Sequence, residues 1–110
     1  MVSVELQILV RRNGRPFLGS AAVELLQEIE RCGSLRVAAK EMHCSYQHAW
    51  DIINDMNHVA SQPVVIKQRG GAGGGGATLS SYGKRILGEY KTIERVAQGF
   101  ARKLNAEISF

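Results

Sequence analysis

SLRVAAKEMHCSYQHAWDIINDMNHVA, residues 34–60, is the stretch whose reading decides the fold. Leu35, Ala38, Ala39 and Met42 fall at i, i+3, i+4 and i+7, the apolar stripe of one helix. Ala49, Ile52, Ile53, Met56 and Ala60 repeat the stripe in a second helix, with Ser45 at its N-cap. Only the His43-Cys44 step separates the two, too short a break for a loop. Small residues at Ala39 and Ala49 let the helices approach closely and cross steeply. The pattern predicts a helix-turn-helix, whose second helix commonly enters a DNA major groove. Taken alone it also suits a helical hairpin in a small bundle.

The residues after the second helix favour the first alternative. Residues 63–68, PVVIKQ, form a short β-branched run. Arg69 and a glycine tract, GGAGGGG at 70–76, lead into Ala77-Thr78-Leu79-Ser80. Strand, tip and strand directly after a helix-turn-helix make a wing. The expected fold is mostly α with a small β-sheet: a winged helix-turn-helix with an N-terminal strand and a long C-terminal dimerisation helix.

With 110 residues the chain is expected to form a single domain over 1–110, with a modest core. A hydrophobic content of 45% and a charged content of 22% are those of an ordinary soluble globular protein. No apolar run approaches a membrane span, and the first residues alternate in polarity instead of forming a signal-peptide block. A net charge of +4 leans towards a polyanionic partner, although a basic protein with no nucleic-acid role shares that sign. Cys32 and Cys44 are too few for a disulfide framework and suit a reducing, cytoplasmic setting.

Residues 1–12 read as a half-buried strand, because Val2, Val4, Leu6, Ile8 and Val10 alternate with mostly polar neighbours. Residues 12–16, RNGRP, turn the chain, and the two wing strands are the partners expected for the opening strand, within the chain or across a dimer. A helix over 20–33 comes next, capped by Ser20, burying Ala22, Leu25, Leu26 and Ile29, and stopped by Gly33. The helix-turn-helix occupies 34–62, with Ser34 as its first cap, and the wing 63–80.

Residues 81–104 make the longest helix. Ile86, Tyr90, Ile93, Ala97, Phe100 and Leu104 recur at spacings of four and three, a heptad seam expected to dimerise with the same helix of a second copy. The alternative is that the seam folds back on the first helix and the opening strand. Gly88 and Gly99 each weaken this helix by about 1 kcal/mol relative to alanine.

On a wheel of the second helix, Gln47, Asp51, Asn54 and His58 lie opposite the apolar stripe, with His48 and Trp50 at the edges. Its N-terminal turns would reach base edges, which nominates Ser45, Tyr46, Gln47, His48 and Asp51 for DNA contact. Gln47 suits adenine, Ser45 a base or phosphate, and Asp51 a cytosine amino group; a solvated helix face is the alternative for each. Between residues 45 and 62 there are two acids, Asp51 and Asp55, and no Lys or Arg. Phosphate contacts must then come from a surrounding ring: Arg31, Arg36 and Lys40, Lys67 and Arg69, Lys84 and Arg85.

As a phosphate-binding loop the glycine tract fails, because no GK[ST] comes after it. It serves either as a plain hairpin tip or as a wing tip, with Gly73 and Gly74 bringing backbone amides to DNA beside Arg69. His43, Cys44, His48 and Cys32 match no common zinc spacing. No nucleophile is paired with a base, so no metal, no cofactor and no enzymatic activity are expected.

Ser45-Tyr46-Gln47-His48-Ala49-Trp50-Asp51, then Asn54-Asp55-Met56-Asn57, then GGAGGGGATLSSYGKRIL resemble the DNA-binding domain of the ModE family of molybdate-responsive transcription regulators, itself related to the LysR-type winged helix. The resemblance covers roughly residues 20–90. It implies a homodimer on a near-palindromic operator, with Ser45, Tyr46, Gln47 and His48 opening the recognition helix, Trp50 bracing it against the wing, and residues 70–76 as the wing tip. Three departures stand out. The chain reaches only Phe110, without room for molybdate-binding modules; His43 stands where glycine is usual in the turn; and Gln47-His48 replace a basic and a small residue.

The expected function is that of a homodimeric, sequence-specific transcription regulator on double-stranded DNA in a bacterial cytoplasm, not membrane-bound; a separate effector protein is a further candidate partner, on which the sequence is silent. The alternative is a winged-helix dimer acting as a protein-interaction or accessory module. A small metal- or oxyanion-responsive sensor is a third class, suggested by little beyond the resemblance.

Overall fold

A computed structural model of the chain describes residues 1–68 and 76–110. In chain order it contains β1 (Val10–Arg12), β2 (Arg15–Leu18), α1 (Ser20–Cys32), α2 (Leu35–Glu41), α3 (Tyr46–Val59), β3 (Val65–Gln68), β4 (Gly76–Leu79) and α4 (Ser81–Glu107). Mostly helical, with two small antiparallel hairpins, it is a winged helix-turn-helix.

The core is the meeting of the apolar stripes. Val23, Leu25, Leu26 and Ile29 of α1 close against Leu35, Ala38 and Ala39 of α2 and against Ala49, Ile53, Met56 and Val59 of α3. Each large side chain buried there is worth about 1.5–3 kcal/mol. Ala38 and Ala49 have no exposed surface at all, so α2 and α3 leave no room for larger residues where they cross. Both helices are capped by serine. Ser34 Oγ accepts from the Val37 amide at 3.1 Å, and Ser45 Oγ from the His48 amide at 3.0 Å. Between them His43 takes φ 56°, a left-handed conformation that histidine tolerates better than most side chains, and the Cys44 amide donates to the Ala39 carbonyl.

α1 ends as its glycine predicts, with Gly33 at φ 68° donating to the Ile29 carbonyl at 2.8 Å. Its start differs from expectation. Gly19, not Ser20, is the N-cap, and no side chain caps it. The preceding strand carries Phe17 and Leu18 into the core, leaving Gly19 alone to turn the chain, so Ser20 is already helical.

The opening strand is also shorter and differently paired than its alternation predicts. Only residues 10–12 are strand, and their partner is β2 immediately after the turn, not the wing. Asn13 and Gly14 both have positive φ, 52° and 76°, the geometry of a two-residue hairpin whose twist matches its strands. Pro16 obscures the return strand because it lacks a ladder donor; here it sits opposite Arg11, next to an irregularity in the register. Arg12 ties the hairpin to α3 by donating to the Val59 carbonyl at 2.9 Å, one of the orphan carbonyls at that helix's end.

Period two nonetheless persists through residues 4–10: Val4, Ile8 and the even positions between are half-buried and the odd ones exposed. That face lies along α4. Tyr90 Oη donates to the Ile8 carbonyl at 3.1 Å, and the Asn105 side chain bonds both the amide and the carbonyl of Val4. Burial, and secondarily the charge of Glu94, push the Tyr90 phenol above its ordinary pKa, so it remains a donor.

α4 spans 27 residues, about 40 Å at 1.5 Å per residue. Gly83, Ile86, Leu87 and Tyr90 bury its first turns in the core, after which it projects. The radius of gyration, 16.0 Å, exceeds the roughly 13 Å of a compact chain this long. Of the expected seam, Ile86 and Tyr90 are core residues, Ala97 and Leu104 are half-buried, and Ile93 and Phe100 are 44% and 57% exposed. Val96, outside the seam, is 68% exposed beside them.

In the wing, β3 and β4 pair from Val65↔Leu79 to Gln68↔Gly76. The linker between α1 and α2 adds to this sheet through a Ser34↔Gly76 bridge and a bond from the Ala77 amide to the Gly33 carbonyl at 3.2 Å. The wing's base rests on Val64. Its carbonyl accepts from the Ser80 amide at 2.9 Å, and Gly83 packs so tightly on it that a Cβ there would lie 2.3 Å from the carbonyl oxygen. Gly83→Ala is therefore expected to destabilise the chain by about 2 kcal/mol or more. Gly88→Ala, with nothing among the described residues within 4 Å of the new methyl, is expected to stabilise it by about 0.5–1 kcal/mol. Urea unfolding midpoints should move in opposite directions at unchanged m-value.

Candidate nucleic-acid interface

α3 presents its N-terminal turns outward. Ser45, Gln47, His48 and Asp51 are exposed, as are Asn54 and His58 further along, while Tyr46 and Trp50 are half-buried. The Ser45 hydroxyl oxygen is committed as the helix cap, leaving its proton available to an acceptor. Gln47 Nε2 donates to Asp51 Oδ1 at 3.0 Å. Two side chains that the helix wheel treats separately are thus one pair, and bidentate pairing of Gln47 with a base requires that bond to open.

The cations approach α3 from its neighbours. The Arg36 guanidinium of α2 lies 4.6 Å from the Tyr46 ring centre, and the Lys67 ammonium of β3 lies 5.1 Å from that of Trp50. The two rings meet edge to face, 6.3 Å apart at 87°. Other members of the expected ring are already paired. Arg31 forms an ion pair with Glu28 at 2.6 Å, whose hydrogen bond and charge raise the guanidinium pKa, and Arg85 contacts Glu89 at 3.3 Å. Among the described residues Arg36, Lys40, Lys67 and Lys84 form no ion pair. Arg69, Gly73 and Gly74 lie outside the described residues.

What orients the wing against α3 is Asn57. Its Oδ1 accepts from the amides of Val64 at 2.8 Å and Val65 at 3.4 Å, and its Nδ2 donates to the Val65 carbonyl at 3.3 Å. Asn57 lies off the apolar stripe and so escapes a search for core positions, though a signal exists: it falls four residues after buried Ile53, a polar side chain on the inner edge of the helix. Ser80 is a second residue overlooked. It caps α4 through the Gly83 amide at 2.9 Å and donates its hydroxyl to the Pro63 carbonyl at 2.6 Å, a role its place before Ser81-Tyr82-Gly83 could have suggested. Among the described residues no three metal-ligating side chains converge, and no helix is long and apolar enough to cross a membrane.

No family model matches the chain. Curated relatives do. The chain is 35% identical over 98 residues to the transcriptional regulator ModE of Haemophilus influenzae, a match covering 89% of this chain and 38% of that protein. It is 39% identical over 92 residues to the molybdenum transport protein ModE of Azotobacter vinelandii, covering 84% and 34%. With the DNA-binding transcriptional dual regulator ModE of Escherichia coli K12 it shares 33% identity over 97 residues, covering 88% and 37%. The chain thus spans little more than a third of the length of these relatives.

Removing the Asn57 clamp leaves the Val64 amide buried without its partner. Asn57→Ala is expected to cost about 1–3 kcal/mol in stability. Amide hydrogen exchange should show the loss as faster exchange at Val64 and Val65.

Proposed function

We propose that this chain, a homologue of the N-terminal region of the ModE regulators, is the DNA-binding part of a bacterial transcription regulator and acts as a homodimer in the cytoplasm. One observation carries this most directly: the exposed N-terminal turns of α3 are flanked by two cations, Arg36 and Lys67, that no carboxylate among the described residues neutralises.

α3 enters a major groove by its first turns, where Gln47 and His48 meet base edges, Ser45 and Tyr46 meet base or backbone, and Asp51 accepts from an amino group once Gln47 releases it. Arg36 and Lys67 take phosphates on either side, and Arg69 with Gly73 and Gly74 carries the wing over the adjoining backbone. The projecting part of α4 supplies the dimer contact through Ile93 and Phe100, with Val96 beside them and Ala97 and Leu104 at the margin. Ile86 and Tyr90 are spent on the chain's own core and support that contact from behind. Two copies joined this way set the spacing of two half-sites. The chemistry proposed is binding alone, with no catalytic step and no cofactor.

Acidity of α3 favours one competing role, docking to a basic protein surface, and site selection from random duplex DNA at two salt concentrations separates them. Enrichment of an inverted repeat is the expected result. No retention at low salt would move the assignment to protein contact.

Lys67→Ala and Arg69→Ala are each expected to weaken binding to all sequences alike and to reduce the salt slope by about one. Gln47→Ala should instead relax base preference, losing about 1–3 kcal/mol of discrimination at one position. A change of sequence preference on Lys67→Ala with affinity intact would reverse these roles. Phe100→Glu should leave the chain folded and shift sedimentation from dimer to monomer; an unchanged dimer would exclude this face of α4.

A further inference from the structure

We infer that Tyr46 and Trp50 are positioning residues for phosphate contact: their rings hold Arg36 and Lys67 at the two ends of one row across the interface, charged and placed to meet the DNA backbone without leaving the rings. This rests on the DNA-binding assignment; it adds a second role to Tyr46 and gives one to Trp50, which that assignment leaves aside.

The row runs from α2 through α3 to the wing: Arg36, Tyr46, Trp50, Lys67. Tyr46 and Trp50 are four residues apart, one above the other on α3. Each cation belongs to a neighbouring element, and each meets α3 through a ring. The need for such a device comes from charge. α3 carries two acids and no Lys or Arg, so cations beside it must be brought in and kept in place. A carboxylate would keep them in place, as Glu28 keeps Arg31, but it would cancel their charge and repel phosphate. A ring face restrains the long side chain and leaves the charge intact. Cations ordered in advance lose less rotamer freedom on binding, so the rings contribute affinity through the cations they order, apart from any contact Tyr46 itself makes.

The test is a double-mutant cycle on the full chain, measured as fluorescence anisotropy with a labelled short duplex of random sequence. Trp50→Leu should weaken binding about two- to fivefold, the scale of ordering one long side chain on binding. Its salt slope should stay unchanged, because no charge is removed. In a Lys67→Ala background the same substitution should cost nothing further, and Trp50→Phe, which keeps a ring face, should restore binding. Equal cost with and without Lys67 would overturn the inference, since Trp50 would then touch DNA or merely support the fold. Tyr46→Leu against Arg36→Ala is an independent cycle at the other end of the row, and stays readable should Trp50→Leu fail to fold. Failure of the unsubstituted chain to bind the duplex at low salt would instead overturn the DNA-binding assignment itself.

Discussion

The backbone of Val64 is the point on which the geometry of this molecule depends. It is fully buried, and a buried amide and carbonyl must find partners inside the protein. The amide is taken by Asn57 of α3, the carbonyl by Ser80 at the start of α4, and Gly83 closes over that carbonyl at a distance no other residue permits. One residue thereby fixes α3, the wing and α4 relative to one another. Any surface composed jointly by α3 and the wing inherits its precision from these bonds more than from the hydrophobic core, which is non-directional.

That surface brings acids and cations side by side. A helix bearing Asp51 and Asp55 and no Lys or Arg is a poor partner for a polyanion taken by itself. The fold moves α2 and β3 alongside it, so that Arg36 and Lys67 flank the Tyr46–Trp50 pair while Gln47 occupies Asp51. Elsewhere Arg31 and Arg85 are held by glutamates of their own helices. Charge is therefore unneutralised near α3 and partly cancelled at those two sites, a distribution that net charge alone does not reveal.

α4 divides its length between two tasks. Its first turns complete the core, and Gly83 there is required by space. Further along, one side carries the opening segment, held at Val4 and Ile8, while Ile93, Val96 and Phe100 stand exposed on another. A Cβ at Gly88 would meet nothing among the described residues, so this glycine weakens the helix without a packing reason there. Both outcomes that the heptad spacing allows are thus represented: part of the helix does turn back to the opening segment, and an apolar face still remains.

By itself the sequence determined what is local. Apolar spacing marked the helix pair, serines at 34 and 45 its caps, Gly33 the stop of α1, and β-branched residues around a glycine tract the wing strands. These features are written in residues a few positions apart, where helix and strand periodicity and capping act. Tertiary structure alone decided the rest. The alternation at the start of the chain was real, but its face meets α4 over most of its length and only residues 10–12 find a strand partner. Asn57 became a clamp because β3 folds back beneath α3, and Trp50 met Lys67 because β3 places it there. Such contacts join residues 7 to about 100 positions apart, and which groups become neighbours is set by how the elements pack, a three-dimensional fact that no period of two or 3.6 encodes.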